Sequence, residues 1–167
     1  MWATFVDGGS VWTITFKDGE RRLFDPTTGF LTSIIDRNGN TTQLTYDSSH
    51  RLITVTDYAS RHLYFGYGTN SNLLVTSVTS DFGITLSYAY NAQGLLSQVT
   101  RPDLTTVSFT YNAQSLITAV TDSNGKVLET HTYDSKRRGL TSSRANGVES
   151  LTVTYPPSSP PGLDGNP

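Results

Sequence analysis

Glu129, His131 and Tyr133 stand at alternate positions, so an extended chain carries all three on one face. A carboxylate beside an imidazole has the makings of a general acid–base pair or a binding cluster. The same pair also reads as a wet face near the end of a folded array, or as two groups that satisfy each other. The usual company of a catalytic pair is missing. The chain has no G-x-S-x-G, no H-E-x-x-H and no glycine-rich phosphate loop before a helix. It contains no cysteine, which removes thiol nucleophiles, thiolate metal sites and disulfides. The expectation is a chain with no catalytic residues, no cofactor and no metal.

The other reactive side chains are scattered. His50 sits at a turn position where sibling segments carry glycine and is expected to face solvent, and His62 lies opposite the Leu63/Phe65 face. Asp36 to Asn40, "DRNGN", offers oxygen side chains at alternate positions, yet lacks the glycine spacing and the distant glutamate of a calcium loop, so it reads as a turn. Asn40-Thr41-Thr42 is a lone glycosylation sequon. Lys136, Arg137, Arg138 and Arg144 cluster in "SKRRGLTSSR", where other segments are apolar. They read as a charged edge strand that resists aggregation, or as a docking patch for an acidic partner or an anionic glycan. Recurrent tyrosines read as core residues whose hydroxyls reach backbone or water, with a sugar-stacking row as the rival reading.

Composition narrows the partners. The formal net charge of −2 over 167 residues lacks the Lys/Arg excess that phosphate neutralisation demands, so nucleic acid is not an expected partner. No apolar run approaches the length of a membrane span. The N-terminus shows no basic, then apolar, leader pattern. That leaves three readings: a cytoplasmic chain, a leader already removed, or a piece of a longer chain. Thr, Ser, Tyr, Val and Gly abound while strong helix formers are scarce, a balance that favours pleated sheet.

What would position these side chains is a repeat. An aromatic followed by a turn residue recurs at Phe24-Asp25, Tyr46-Asp47, Tyr67-Gly68, Tyr90-Asn91, Tyr111-Asn112, Tyr133-Asp134 and Tyr155-Pro156, in steps of 22, 21, 23, 21, 22 and 22 residues. Each unit has a second turn signal half-way along, such as "DRNGN", "DYAS" or "DSNG". Asp and Asn start turns by bonding backbone two residues on, and glycine tolerates the positive φ that ends them. The second half of each unit alternates: Leu44/Tyr46, Leu63/Phe65/Tyr67, Leu86/Tyr88/Tyr90, Val107/Phe109/Tyr111, Leu151/Val153/Tyr155. The first half spaces its apolar pair by three, as in Leu31 and Ile34 or Ile117 and Val120, which a β-bulge or a doubly covered strand would explain. Each unit of about 22 residues is thus one antiparallel β-hairpin. Stacked hairpins give an all-β fold: a curled, twisted open sheet or partial shell. Before the first unit, Trp12, Ile14 and Phe16 lead into Asp18-Gly19, expected as a two-residue hairpin turn, with Trp2 and Phe5 covering that end.

The pattern Y-D-x-x-G-x-L-x-x-V-T-D-x-x-G with a closing Y-x-Y resembles the YD repeat of Rhs proteins, a group that includes bacterial polymorphic toxins, wall-associated proteins, insecticidal toxin-complex shells and teneurins. "YDSSHRLITVTDYASRHLYFGY" and "YNAQSLITAVTDSNGKVLETHTY" carry the resemblance, which covers roughly residues 10 to 155. It implies a hollow β-shell, secreted or at the cell surface, with glycans as candidate ligands; the expected partners are neighbouring repeats, flanking domains of a longer chain or, through the open sheet edges, copies of itself. On this reading residues 1–23 form an N-terminal capping hairpin and residues 24–155 an array of about six repeats. Residues 156–167, "PPSSPPGLDGNP", form a linker or tail. The repeat-defining residues are Tyr46, Asp47, Tyr67, Tyr90, Asn91, Tyr111, Asn112, Tyr133, Asp134 and Tyr155. The expected role is a non-enzymatic scaffold. A carbohydrate-binding module and a self-assembling fibre or tube subunit built by strand addition are the alternatives.

Overall fold

The computed structural model describes residues 3–68, 74–144 and 147–156. Trp2 and the tail from residue 157 lie outside the described residues, as do the two central residues of the "RANG" turn. The fold is all-β, and the described residues contain no α-helix. The chain divides into two compact units, residues 1–89 with 100–104 and residues 90–99 with 105–167.

In the first unit nine strands follow one another: β1 Ala3–Asp7, β2 Trp12–Phe16, β3 Arg21–Phe24, β4 Leu31–Ile35, β5 Thr41–Tyr46, β6 Leu52–Thr56, β7 His62–Tyr67, β8 Val75–Ser80 and β9 Thr85–Tyr90. Each pairs antiparallel with the next, from β1–β2 through β8–β9. The second unit holds β10 Leu96–Thr100, β11 Thr106–Tyr111, β12 Ile117–Asp122, β13 Val127–Tyr133, β14 Gly139–Arg144 and β15 Glu149–Thr152. There β11 to β15 pair in the same consecutive way. No described strand pairs out of chain order, so the sheet in each unit stays open.

A bulge accounts for the three-residue spacing of the apolar pairs. Leu44 faces Val55 and Tyr46 faces Leu52, leaving Ile53 as the extra residue. Phe109 faces Val120 and Tyr111 faces Ile117, leaving Thr118 extra. The inserted residue brings both members of each pair onto the face of the repeat aromatic. That face is apolar, and the opposite one carries hydroxyls and amides, as in the rungs Gln43–Thr56, Thr45–Thr54 and Thr79–Thr85. None of the described residues is fully buried. Among the described residues each strand pairs only with its chain neighbours and the apolar face is left half-covered, which distinguishes this array from the usual two-layer domain.

The strands are joined by one turn used many times. Asp47 N–H donates to the Arg51 carbonyl at 2.9 Å, and His50 N–H donates back to the Asp47 carbonyl at 2.9 Å. The same two bonds recur at Asp36, Asp57, Asn91, Asn112, Asp122 and Asp134. The fourth residue of this loop must adopt positive φ. Gly39, Gly94 and Gly125 do so freely, whereas His50, Ser60, Leu104, Ser115 and Arg137 do so at φ of 64°, 59°, 67°, 62° and 66°. Each of those five non-glycine residues carries a cost of about 1–2 kcal/mol relative to its preferred backbone. The turn at Asp18-Gly19 corrects the two-residue expectation. Phe16 N–H bonds the Glu20 carbonyl at 2.8 Å, making a three-residue loop. A two-residue primed turn needs positive φ at its first central residue (type II′) or at both (type I′), and here Gly19, the second, has it while Asp18 does not.

Candidate functional site

The corner after each repeat aromatic ties successive hairpins together. Tyr46 Oη donates to the Leu31 carbonyl at 2.9 Å, Tyr67 to Leu52 at 2.8 Å, Tyr111 to Leu96 at 2.7 Å and Tyr133 to Ile117 at 2.8 Å. The acceptors are not arbitrary. Leu31 is the cross-strand partner of Phe24, Leu52 that of Tyr46 and Ile117 that of Tyr111. Tyr46, Tyr67 and Tyr133 therefore bond the residue that sits beside the preceding repeat's own aromatic, at the bulge. Three of the repeat rings, those of Tyr46, Tyr67 and Tyr155, are also covered from the previous corner. Phe30 stacks on Tyr46 with centroids 5.0 Å apart, the Arg51 guanidinium lies 4.7 Å over Tyr67, and Arg138 lies 4.0 Å over Tyr155. Burial lifts the Tyr46 hydroxyl above the usual tyrosine value.

The turn-starting carboxylates hold the corners. Asp47 Oδ1 accepts the N–H groups of Ser49 and Arg51, both at 2.9 Å, and Oδ2 takes the Arg51 Nε at 2.8 Å. Asp134 repeats this with Lys136 and Arg138. Asn91 and Asn112 supply the same Oδ1 acceptor without the charge. Backbone donation from Arg51 and from Arg138 holds the Asp47 and Asp134 carboxyls below the usual range, and the Arg61 side chain does so for Asp57. In "DRNGN", Asp36 accepts the backbone of Asn38 and Asn40 and the Asn40 side-chain amide, which lowers its pKa and spends its oxygens on the turn.

Two polar clusters interrupt the pattern. In the second unit Glu129 faces Arg144 across β13–β14, and His131 faces Ser142. Arg144 Nη2 lies 2.7 Å from Glu129 Oε1, and His131 Nε2 lies 3.4 Å from Oε2. The strand register thus draws Arg144 out of the basic run and onto Glu129, the carboxylate that His131 also approaches. Arg137 donates to the Gln114 carbonyl at 3.0 Å, and Arg138 is clasped by Asp134. In the first unit Asp81 gathers three donors. The His62 backbone N–H approaches Oδ2 at 2.6 Å, His62 Nδ1 lies 3.2 Å from both oxygens, and Tyr64 Oη donates at 3.1 Å. The His62 N–H, first among these, keeps the Asp81 carboxyl below its ordinary value, while burial raises the Tyr64 hydroxyl. The His62 and Tyr64 rings lie parallel, 5.6 Å apart.

Sequence reasoning missed the Asp81 cluster, although a signal was there. The turns at Asp36, Asp57 and Asp122 begin on an aspartate, whereas this one begins on Ser80 with its aspartate displaced by one position. The shift frees Asp81 to face His62 and leaves the buried Ser80 hydroxyl with no hydrogen-bond partner. The cluster resembles an aspartate-oriented imidazole, but Ser80 pairs with Leu63 and so stands on the face opposite His62. No nucleophile–base pair results. Among the described residues no three metal-binding side chains converge.

The repeat corners decide the family. A sequence profile described as Teneurin YD-shell matches residues 6–142. The chain belongs to the teneurin YD-shell family. The YD-shell fold is shared with solved toxin-complex structures at low sequence identity. The TcdB2-TccC3-TEV crystal structure aligns over 92% of this chain and 11% of its own, with a TM-score of 0.57 and 12% identity. The TcdB2-TccC3-Cdc42 crystal structure aligns over 81% and 8%, at 0.54 and 16%. The Photorhabdus luminescens Tc holotoxin pore aligns over 80% and 8%, at 0.55 and 14%. The chain thus spans about a tenth of the length of these neighbours. No curated protein sequence matches it. The tyrosine corners carry the repeat, and the departures from it are the Glu129/His131/Arg144 and His62/Tyr64/Asp81 clusters.

Proposed function

We propose that this chain is a non-enzymatic wall segment of an Rhs-like shell that works outside the cell. The observation that carries the reading is a sheet one layer thick, with no fully buried residue among those described, whose hairpins are nevertheless locked to one another by tyrosine corners. Such a sheet resists bending without a second layer, which suits a wall and poorly suits a catalytic cleft. The extracellular setting follows the family and its toxin-complex neighbours. No helix among the described residues is long and apolar enough to cross a membrane. Neighbouring repeats of a longer polypeptide, or its flanking domains, are the partners this role calls for. Limited proteolysis of the full-length polypeptide tests it. Corner turns in the wild type should resist cleavage, and Tyr111→Phe with Tyr133→Phe should open the adjoining turns. Equal cleavage with and without those hydroxyls would refute the reading.

The parallel His62 and Tyr64 rings beside the Asp81 carboxylate favour a carbohydrate-binding alternative at that spot. Glycan-array binding that is lost in Tyr64→Ala would establish it, and silence across the array would remove it.

A further inference from the structure

In the first unit the two margins of the sheet differ in chemistry. The margin bearing the Tyr-Asp corners shows Thr27, Thr28, Ser49 and His50 exposed at its turns. On the other margin of the first unit, three turns carry large exposed apolar side chains: Tyr58 is 67% exposed, Phe82 79%, Ile84 57% and Leu104 80%. Leu104 bears two penalties at once. It is the one apolar residue among the five non-glycine residues at positive φ, and it contacts too little to bury itself. A strained, exposed leucine where glycine would serve is an outlier that points to a role beyond folding.

We propose that this margin is the docking site for a second copy of the chain, paired two-fold through Tyr58, Phe82, Ile84 and Leu104. Three observations choose this occupant. The four side chains expose on the order of 400 Å² of apolar surface, a patch size often functional on a monomer. That matches the apolar share of a standard interface burying roughly 800 Å² per partner. Phe82 of the row, with Val55 and Leu63, also forms the apolar wall of a groove of about 290 Å³, beside which Tyr58, Ile84 and Leu104 are left to project. A knob and a hollow on one margin are what a two-fold, self-complementary contact requires. The polar groups beside the row are already engaged within the chain, Asp57 with Arg61 at 2.6 Å and Asp81 with the His62 and Tyr64 donors, which gives a rim whose hydrogen bonds are spent internally.

Sedimentation velocity across the micromolar to sub-millimolar range tests the proposal on the whole chain. The expected result is reversible dimerisation. Leu104→Gly should weaken it by about tenfold or more. The same variant, measured where the chain is monomeric, should unfold at higher urea, because glycine relieves the positive φ. A residue with a purely structural role would not move those two readouts in opposite directions. Phe82→Ser should weaken association as well, and Leu151→Lys on the β15 edge should leave it unchanged. A chain that stays monomeric, or whose association survives Leu104→Gly and Phe82→Ser but is abolished by Leu151→Lys, would overturn the proposal. So would a monomer that uses this margin only for an unrelated protein.

Discussion

Removing one hydroxyl from a repeat corner isolates what the lock contributes. In Tyr111→Phe the ring stays and only the 2.7 Å bond to the Leu96 carbonyl is lost. A neutral hydrogen bond is worth about 0.5–1.5 kcal/mol net, and the half-buried position lets water reach the orphaned carbonyl, so the loss should be about 1 kcal/mol. For a chain of this size that lowers Tm by roughly 2–4 °C. Neighbouring locks stand two strands, roughly 10 Å, apart, far enough for their effects to add. Converting Tyr46, Tyr67, Tyr111 and Tyr133 together should therefore cost about 4 kcal/mol, a large part of the 5–15 kcal/mol typical of a folded domain. Urea unfolding followed by circular dichroism reads the change, with Tyr58→Phe as an exposed comparison expected to move little. Tyr46 and Tyr67 lie in the first unit and Tyr111 and Tyr133 in the second, so if the units melt separately each pair should shift only its own transition. A fourfold variant within about 1 kcal/mol of wild type would refute the reasoning.

Three further outcomes follow from the turns. Ser115→Gly should stabilise by roughly 0.5–1 kcal/mol in urea, since glycine removes the positive-φ cost at the expense of some chain entropy, and His50→Gly should gain less because it forfeits the edge contact with Phe30. Arg137→Gly should gain less, because it forfeits the bond to Gln114. Asp25, Asp36, Asp47, Asp57, Asp81 and Asp134 all have carboxyls lowered by turn hydrogen bonds. Their contribution is fully present above the unfolded value of about 3.9 and is lost as pH falls through the lower folded values. Urea midpoints should thus be flat where these carboxylates stay ionised and drop below about pH 4. Asp47→Asn, which keeps the turn acceptor but not the Arg51 pair, should show a shallower acid loss. A midpoint that is lost by pH 5 would contradict this assignment. Ser80→Ala removes a buried hydroxyl that has no partner and should be neutral or stabilising by up to about 1 kcal/mol; a clear destabilisation would show that the hydroxyl is bonded after all.

Much of the architecture is local and so was legible in the chain. The 21–23-residue recurrence of Tyr-Asp and Tyr-Asn, the second turn half-way and the alternating Val107/Phe109/Tyr111 all follow from backbone preferences over a few residues, and they set the hairpins, their order and the all-β class. Even the bulge left a trace in the three-residue spacing of Leu52 and Val55. The turn at Gly19 was misjudged by one residue because Asp-Gly serves both loop lengths, and the choice rests on the φ of Asp18. What the sequence could not disclose is what strand register decides. A tyrosine finds a carbonyl 15 or 16 residues back because two strands intervene. Arg144 meets Glu129 because β13 and β14 pair at that offset. Asp81 reaches His62 across 19 residues because a turn began one position early. Pattern and turn chemistry told the chain to become a row of hairpins. Only the packed sheet decided which side chains touch, since a cross-strand contact depends on the offset between strands and no single strand carries that information.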